Sequence, residues 1–330
     1  MMAADARPLE VRPEAPSMDL SVNLAPNHKV ELLLRNPIMT ASGTFSNGLE
    51  LASHYDVDAL GAIVSKGTTL QPRKGNPTPR TVETPAGMIN AIGFQNIGVT
   101  ALIRDVAPVW ARWAVPAIAN IMGYTREEYG LLAARLDGIP GIAGLEVNIS
   151  CPNVEAGGLE FGQDAQAAAA VVREVAANTS LPFLVKLTPS VTDIRPIAEA
   201  VARAGAHALT VANTIPAMAI DVKRRRPVIP NGFGGLSGPA IKPIAIRQVF
   251  LSSGVVDIPV VASGGIMTGI DAIEFIMAGA SAVQVGTATF LDPGAPWRIL
   301  RELEAWCAAE GVQSLEEIRG VARQPDPRRD

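Results

Sequence analysis

The sequence predicts an α/β fold: a closed (β/α)8 TIM barrel of eight parallel strands with helices outside. Short apolar, β-branched runs alternate with helical patterns along the chain, which is typical of βα repeats. The runs do not alternate between apolar and polar residues, as expected for parallel strands buried on both faces. An open, doubly wound sheet has the same order of elements and is the competing fold.

The eight runs end in small or polar residues, and most are followed by a helix-like stretch. We predict strands at Pro37–Ala41, Ala62–Lys66, Ala117–Asn120, Gly144–Ile149, Phe183–Leu187, Ala208–Asn213, Pro259–Ser263 and Ala282–Gly286.

Helices are predicted between several of these strands. Gln163–Asn178 is rich in Ala and Val, and Thr192–Ala204 and Gly269–Ala278 are each followed directly by a glycine. A glycine in that place is the residue preferred at a left-handed helix C-terminus.

Three segments do not belong to the repeat. Leu20–Leu24 and Lys29–Leu34 flank a turn, so we expect an N-terminal hairpin that closes one barrel end. Residues 67–116 and 214–258 are long insertions after strands 2 and 6. Loops of such length are usually lids or partner surfaces.

Composition supports one globular domain with tails. The 330 residues are 48% hydrophobic and 18% charged, which is enough for a large core, and the net charge of −4 argues against nucleic acid as a partner. No signal peptide or run of 18 apolar residues occurs, so we expect a cytoplasmic protein that does not span a membrane. We predict a disordered N-terminal tail over residues 1–17, a barrel domain over 18–312 and a C-terminal tail over 313–330.

The chain contains two cysteines, Cys151 and Cys307. Two thiols cannot form a disulfide framework, a four-cysteine zinc site or an iron–sulfur cluster, and we predict no metal site. Cys307 lies in an amphipathic stretch and fits a buried apolar role. Cys151 lies in the Pro-containing loop Asn148–Asn153 just after a strand, which favours a functional role over a buried one.

The strand ends contain the other candidate residues, because a barrel enzyme builds its site at the carboxyl ends of the strands. Glycines after strands 7 and 8 favour a phosphate site, although tight turns alone would also explain them. Lys66 and Lys186 end apolar strands and are expected to meet an anion, with extension to solvent as the alternative. His28, His54 and His207 are not at strand ends, which leaves Cys151 as the candidate base.

A four-residue cationic block, Lys223–Arg226, lies in the second insertion. A solvated surface explains it most simply, and steering of a substrate or partner is the alternative.

Many of these segments together resemble the dihydroorotate dehydrogenases, a family of FMN-dependent (β/α)8 barrels, from about residue 20 to residue 310. The resemblance rests on Ala41-Ser42-Gly43, Ser65-Lys66-Gly67-Thr68, Gly75-Asn76-Pro77, Pro79-Arg80, Asn90 to Asn96, Asn148 to Asn153, Lys186, Asn213-Thr214, Gly235-Leu236-Ser237-Gly238, Gly264-Gly265 and Gly286-Thr287.

Within that family, a cysteine at the position of Cys151 is typical of the soluble class, whereas a serine is typical of the membrane-bound class. The segments Glu83–Met88, Asn90–Asn96 and Ala219–Val222 resemble the NAD-linked catalytic subunit. Phe94 stands where that type is expected to have Leu.

The resemblance implies oxidation of (S)-dihydroorotate to orotate in de novo pyrimidine biosynthesis, with one FMN per chain. It implies Cys151 and Lys186 as catalytic residues. The implied substrate-binding residues are Lys66, Asn90, Ile92, Gly93, Phe94, Asn148, Asn153, Asn213 and Thr214. The implied cofactor-binding residues are Ala41, Ser42, Gly43, Lys66, Gly67, Asn120, Asn148, Lys186, Ala212, Gly238, Gly264, Gly265, Gly286 and Thr287.

The resemblance also implies partners: a homodimer core of catalytic chains and an electron-transfer subunit with FAD and a [2Fe–2S] cluster, together a heterotetramer that reduces NAD⁺. Two other functions stay open at this point. One is a dihydropyrimidine dehydrogenase-like flavin barrel, and the other is a non-redox lyase or isomerase of a sugar phosphate.

Overall fold

The computed structural model of the chain describes residues 18–149 and 161–324. Within them the strands are β1 (Val22–Asn23), β2 (Leu33–Leu34), β3 (Ile38–Thr40), β4 (Ile63–Val64), β5 (Thr81–Thr84), β6 (Gly87–Asn90), β7 (Ala117–Ile121), β8 (Gly144–Asn148), β9 (Phe183–Lys186), β10 (Ala208–Val211), β11 (Ile215–Ala217), β12 (Ile220–Asp221), β13 (Arg226–Pro227), β14 (Gly234–Ser237), β15 (Val260–Ser263) and β16 (Ala282–Val285). The α-helices are α1 (Leu49–Ala52), α2 (Gly98–Ala101), α3 (Ala107–Trp110), α4 (Arg126–Leu136), α5 (Ala165–Asn178), α6 (Arg195–Arg203), α7 (Lys242–Ser252), α8 (Gly269–Met277), α9 (Ala288–Leu291) and α10 (Ala295–Glu310).

Eight parallel strands form the barrel, in the order β3, β16, β15, β10, β9, β8, β7, β4. The two ends of this order meet, because Met39 of β3 and Ala62 just before β4 form a parallel bridge. The amide of Thr40 donates to the carbonyl of Ala62 at 3.1 Å. The predicted (β/α)8 barrel is therefore confirmed, and the open doubly wound sheet is wrong.

Each of the eight predicted apolar runs coincides with one barrel strand. All residues of these strands are buried, with the barrel interior on one side and helices on the other. The absence of alternation in the sequence thus has a direct cause: neither face of any barrel strand meets water.

The helices pack around the barrel, with α4 against α5, α5 against α6 and α8 against α10. Three of them start at side-chain caps. Before α4, Thr125 accepts from the amide of Glu128 at 3.3 Å, before α5, Asp164 accepts from the amide of Ala167 at 2.7 Å, and before α8, Thr268 forms a capping box with Asp271. The glycines that follow α6 and α8 closely, Gly205 and Gly279, have φ of 113° and 116°. These positive values favour glycine, as the sequence pattern predicts.

The N-terminal hairpin forms as predicted and covers the amino end of the barrel. β1 and β2 pair antiparallel, and Leu24 and Leu34 are fully buried. The ring of His28 meets the ring of His207, just before β10, with centroids 4.4 Å apart. The hairpin therefore packs against the start of the strands and leaves their carboxyl ends open.

The two long insertions pair with each other at the opposite end. Strands β5 and β6 of the first insertion and β14 and β11 of the second form one four-stranded antiparallel sheet, with Asn90 opposite Gly235. The second insertion adds the small hairpin β12–β13, and the exposed block Lys223–Arg226 covers its turn and the first residue of β13. The sequence does not predict this shared sheet, since strand pairing across more than 140 residues leaves no local pattern.

Residues 313–324, which sequence analysis assigns to the C-terminal tail, pack on the barrel. Leu315 and Ile318 are buried, and Ser314 forms a bridge with Asp19. The guanidinium of Arg323 lies 4.1 Å from the ring centroid of Phe250. The packed part of the chain thus extends beyond residue 312, because short 3₁₀ turns bury two well-spaced apolar residues. No helix in the described parts of the chain is long and apolar enough to cross a membrane.

Candidate active site

A cavity of about 610 Å³ opens at the carboxyl ends of the barrel strands, beneath the four-stranded sheet. Loops after several strands and both insertions line it. The predicted site residues that line this cavity are Ala41, Ser42, Gly43, Lys66, Gly67, Asn90, Ile92, Gly93, Phe94, Asn120, Asn148, Lys186, Ala212, Asn213, Thr214, Gly238, Gly264, Gly265, Gly286 and Thr287.

The remaining predicted site residues, Cys151 and Asn153, lie outside the described residues. The described chain stops at Ile149 and resumes at Phe161. These two ends lie close together, because the amide of Gly162 donates to the carbonyl of Ile149 at 3.0 Å. Asn148, the last residue of β8, lines the cavity. The described chain therefore reaches the cavity three residues before Cys151.

Three cations line the cavity: Lys66, Lys186 and Arg80. Lys186 is only 4% exposed, and its Nζ donates to Ser42 Oγ at 3.2 Å. Burial lowers the pKa of Lys66 from its ordinary value, and the nearby positive charge of Arg80 adds to this. The cavity therefore offers a concentrated positive charge to an anionic ligand.

Arg80 is a lining residue that sequence analysis did not select. Its guanidinium donates to the carbonyl of Lys74 at 2.9 Å and also contacts the side chain of Gln95. These contacts join two parts of the first insertion, near Lys74 and near Gln95, at the opening of the cavity. The signal was present in the Pro79-Arg80 motif, but the sequence does not show that this loop turns toward the barrel.

A buried carboxylate, Glu146, lies below the cations and was also missed. It is completely buried in β8 and accepts hydrogen bonds from Asn120 Nδ2 at 2.7 Å and Thr210 Oγ1 at 2.8 Å. Gln284 Nε2 donates to the same carboxylate, and Lys186 Nζ lies 3.8 Å from it. The sequence does contain an indication of this role, because Glu146 is a charged residue within an otherwise apolar strand. A charged side chain in such a place must find hydrogen-bond partners in the interior.

Asn120 offers an unused acceptor to the cavity. Its Nδ2 is bound by Glu146, whereas its buried Oδ1 has no hydrogen-bond partner among the described residues. A buried polar atom without a partner is costly, so its presence in a cavity wall indicates a site for a ligand donor.

Glycines let the backbone approach the cavity closely. Gly265 has φ of 76°, and a Cβ built there would lie 2.7 Å from the Cβ of Lys242. Gly93, with φ of 71°, would place a Cβ 2.4 Å from the side-chain oxygen of Asn76. Phe94 follows with φ of 56°, a conformation uncommon for a residue with a side chain. Such backbone geometry is concentrated at functional sites.

The histidines lie away from the cavity, as the sequence predicts for His28, His54 and His207. Burial, with His28 as a second cause, lowers the pKa of His207 to about 4, so this ring is neutral at physiological pH. Cys307 is fully buried in α10, and burial raises the pKa of its thiol. Among the described residues, then, neither an imidazole nor a thiol is placed at the cavity to act as a base.

A closed barrel with a cation-rich cavity at the carboxyl ends of its strands defines the class of (β/α)8 barrel enzymes that bind an anionic cofactor or substrate. The family profile described as dihydroorotate dehydrogenase matches residues 26–306. The chain belongs to the dihydroorotate dehydrogenase family.

Two curated relatives give a finer comparison. The chain is 54% identical over 303 residues to the "Dihydroorotate dehydrogenase B (NAD(+)), catalytic subunit" of Geobacter sp. (strain M21), covering 92% of this chain and 98% of that protein. It is 55% identical over 293 residues to the protein of the same name from Desulforudis audaxviator, covering 89% and 95%. A crystal structure of the Eimeria tenella enzyme in complex with ferulenol matches 97% of this chain and 92% of that chain with a TM-score of 0.75 at 22% identity, which supports the fold.

Proposed function

We propose that the protein is the catalytic subunit of an NAD-linked enzyme that oxidises (S)-dihydroorotate to orotate, a step of de novo pyrimidine biosynthesis. Family membership and the names of the two relatives support this function. The observation that carries it at the site is the convergence of Lys66, Lys186 and Asn120 on one cavity at the carboxyl ends of the strands. Dihydroorotate has a carboxylate and a polar ring, which suit cations and amides.

The cavity residues fit FMN. Asn120 Oδ1 can accept from a flavin N–H, and Lys186 places a positive charge on the cavity floor. Gly264, Gly265 and Gly286 line the cavity, and a Cβ at each would lie within 3.3 Å of a neighbouring protein atom, so these positions are packed too closely for a side chain. Glycines at such places allow backbone amides to approach a phosphate. When bound, FMN supplies the hydride acceptor of the reaction.

The substrate residues are amides and a hydroxyl on the same cavity. Asn90, Asn148, Asn213 and Thr214 line it, and Asn153 is assigned by the family motif. The backbone from Ile92 to Phe94 completes the contacts on the first insertion. Amide groups both donate and accept, which allows them to read a ring with alternating carbonyl and N–H groups.

Cys151 is the proposed base. Its thiolate would take the proton from ring carbon 5 of dihydroorotate and a hydride would leave carbon 6, so that a C=C bond forms between the two carbons. The bound FMN would supply the acceptor for that hydride. A thiolate is a competent base near neutral pH. Lys186 balances the negative charge that the cofactor gains.

The electrons must leave through a partner. The whole chain has two cysteines, too few for an iron–sulfur cluster. We therefore propose an electron-transfer subunit with FAD and a [2Fe–2S] cluster, bound to a homodimer of catalytic chains in a cytoplasmic heterotetramer that reduces NAD⁺.

An absorbance spectrum tests cofactor and substrate together. The purified chain, reconstituted with FMN, should show flavin absorbance bands. Under anaerobic conditions these bands should bleach when dihydroorotate is added. Orotate should perturb the oxidised spectrum at micromolar concentration, whereas uracil should not. A colourless protein that takes up no FMN would contradict the proposal, and a response to uracil would favour another pyrimidine reductase.

The acceptor is tested with the partner. Coexpression with the proposed flavin/iron–sulfur subunit should yield a complex that reduces NAD⁺, an activity that the catalytic chain lacks alone. Rapid fumarate-dependent turnover by the catalytic chain alone would contradict the NAD-linked assignment.

A further inference from the structure

Glu146 is at the centre of the polar network beneath the cavity, but it does not line the cavity itself. Its Oε1 accepts from Asn120, and its Oε2 accepts from Thr210 and Gln284. Lys186 Nζ lies 3.8 Å from Oε1 and also donates to Gln284 Oε1 at 3.4 Å. Side chains of four barrel strands thus contact one carboxylate on a fifth strand, β8.

An ionised carboxylate only accepts hydrogen bonds, so it decides how its partners are oriented. The amides of Asn120 and Gln284 must both turn a nitrogen toward Glu146. The acceptor-only chemistry of the carboxylate thus determines which end of each amide is the nitrogen, a choice that the similar shapes of the amide oxygen and nitrogen would otherwise leave open. The other end of each amide is then an oxygen.

For Asn120, which lines the cavity, that oxygen is the buried Oδ1, which has no hydrogen-bond partner among the described residues. Glu146 therefore makes Asn120 an acceptor rather than a donor toward a ligand. For Gln284, the oxygen faces Lys186 and helps to hold the ammonium in place. One carboxylate thus sets the hydrogen-bonding polarity of the cavity floor.

We propose that Glu146 is a positioning residue that makes the cavity floor specific for a ligand donor, by fixing Asn120 as an acceptor and Lys186 as a held cation. The inference rests on the proposed function, in which the ligand at this floor is the flavin. Glu146 acts through Asn120 and Lys186 and does not touch the flavin.

The first test is Glu146→Gln, which keeps the shape but replaces one acceptor by a donor. The new amide can satisfy Thr210 and Gln284 with its oxygen only if its nitrogen faces Asn120. Asn120 must then flip and present Nδ2 to the cavity. FMN affinity, measured by quenching of FMN fluorescence, should fall about tenfold to a hundredfold, the range for leaving a buried donor without its acceptor.

The second test is the double variant Asn120→Asp/Glu146→Gln, which exchanges the amide and the carboxylate. The nitrogen of residue 146 then donates to the new carboxylate, whose other oxygen faces the cavity as an acceptor. A negative charge also stays near Lys186. FMN affinity should recover to within a few-fold of the wild type. A role in packing alone predicts the opposite, because a second change in a buried network would weaken binding further.

Two controls separate the orientation of Asn120 from two other effects, a loss of stability in the buried network and the loss of a negative charge from the protein. Thr210→Val removes a donor from the network but keeps the contact between Glu146 and Asn120 Nδ2, so Asn120 keeps its orientation. FMN affinity should then change less than threefold, even if the variant unfolds at a lower temperature than the wild type. Glu174→Gln makes the same substitution on α5, outside the cavity lining, and should leave FMN affinity unchanged.

Four results would overturn the role of Glu146, and a fifth would refute the proposed function instead. An unchanged affinity in Glu146→Gln, a further loss in the double variant, or an equal loss in Thr210→Val would each overturn the role of Glu146. If Glu146→Gln does not fold, the double variant must still fold and bind FMN, and its failure to do so would also overturn the role. Failure of the wild-type chain to bind FMN would instead refute the proposed function.

Discussion

The two ends of the barrel differ sharply in chemistry although the same eight strands build both. The amino end is closed by the hairpin β1–β2, with Leu24 and Leu34 fully buried and the imidazole rings of His28 and His207 in contact. The carboxyl end is open and contains a 610 Å³ cavity with three cations. The difference indicates that one end provides stability and the other provides chemistry, as in barrel enzymes generally.

The largest expected effect is on turnover, from Cys151→Ser. A hydroxyl is a much weaker base than a thiolate, so turnover at neutral pH should fall about 10²- to 10⁴-fold, the range for losing a general base. Orotate affinity, measured by spectral titration, should change little. The control is Cys307→Ala, which removes the other thiol, buried in α10, and should preserve turnover in the folded fraction. Equal turnover of wild type and Cys151→Ser would remove Cys151 from the mechanism.

The largest effect on stability should come from the amino end. Leu34→Ala removes a fully buried side chain and should lower the free energy of unfolding by about 2–5 kcal/mol, measured by urea denaturation. Leu33→Ala is the matched control, because the adjacent side chain is 59% exposed. KM for dihydroorotate should be the same in both variants, and a raised KM in Leu34→Ala would show that the two ends are coupled.

Two glycines compare the cavity with the far end of α10. Gly265 and Gly311 have φ of 76° and 73°, but a Cβ at Gly265 would collide with Lys242, whereas nothing lies within 4 Å at Gly311. Alanine at either site should cost about 1–2 kcal/mol of stability because of the left-handed backbone. Only Gly265→Ala should also lower FMN affinity, by about tenfold, because the neighbouring backbone must move by an amount that costs roughly 1–3 kcal/mol. Equal FMN affinity in the two variants would contradict this.

The smallest expected effect is the pH dependence of stability that His207 causes at the amino end. The pKa of His207 is about 4 in the folded protein against 6.5 ordinarily, so the unfolded chain binds a proton more readily. The stabilisation is therefore complete above pH 6.5 and is lost as pH falls from 6.5 toward 4. We expect the free energy of unfolding to fall by about 1 kcal/mol between pH 7 and pH 5, less than the full pKa shift implies, because the ring of His207 is partly exposed to solvent. Urea unfolding at pH 7 and pH 5 should show it, and His207→Gln should remove it, while the exposed His54→Gln should not.

The sequence predicted the fold and the site correctly where the local residue pattern matches the environment of those residues in the folded protein. The eight buried runs, the hairpin and the polar residues at strand ends all have local signals, and the structure places the cavity where those strand ends meet. The sequence missed Arg80 and Glu146 for different reasons. Arg80 lies on an insertion whose direction no local pattern specifies. Glu146 lies within an apolar strand, and its partners come from four other strands.

By itself the sequence determined the barrel and its family, because burial on both faces leaves continuous apolar runs and because motifs at eight strand ends appear in order. Only the tertiary structure decided that the two insertions share one sheet over the cavity, since pairing between Asn90 and Gly235 depends on how the closed barrel brings distant loops together. It also decided the polarity of the cavity floor. A carboxylate orients amides only across hydrogen-bond distances, and those distances exist once the barrel has closed.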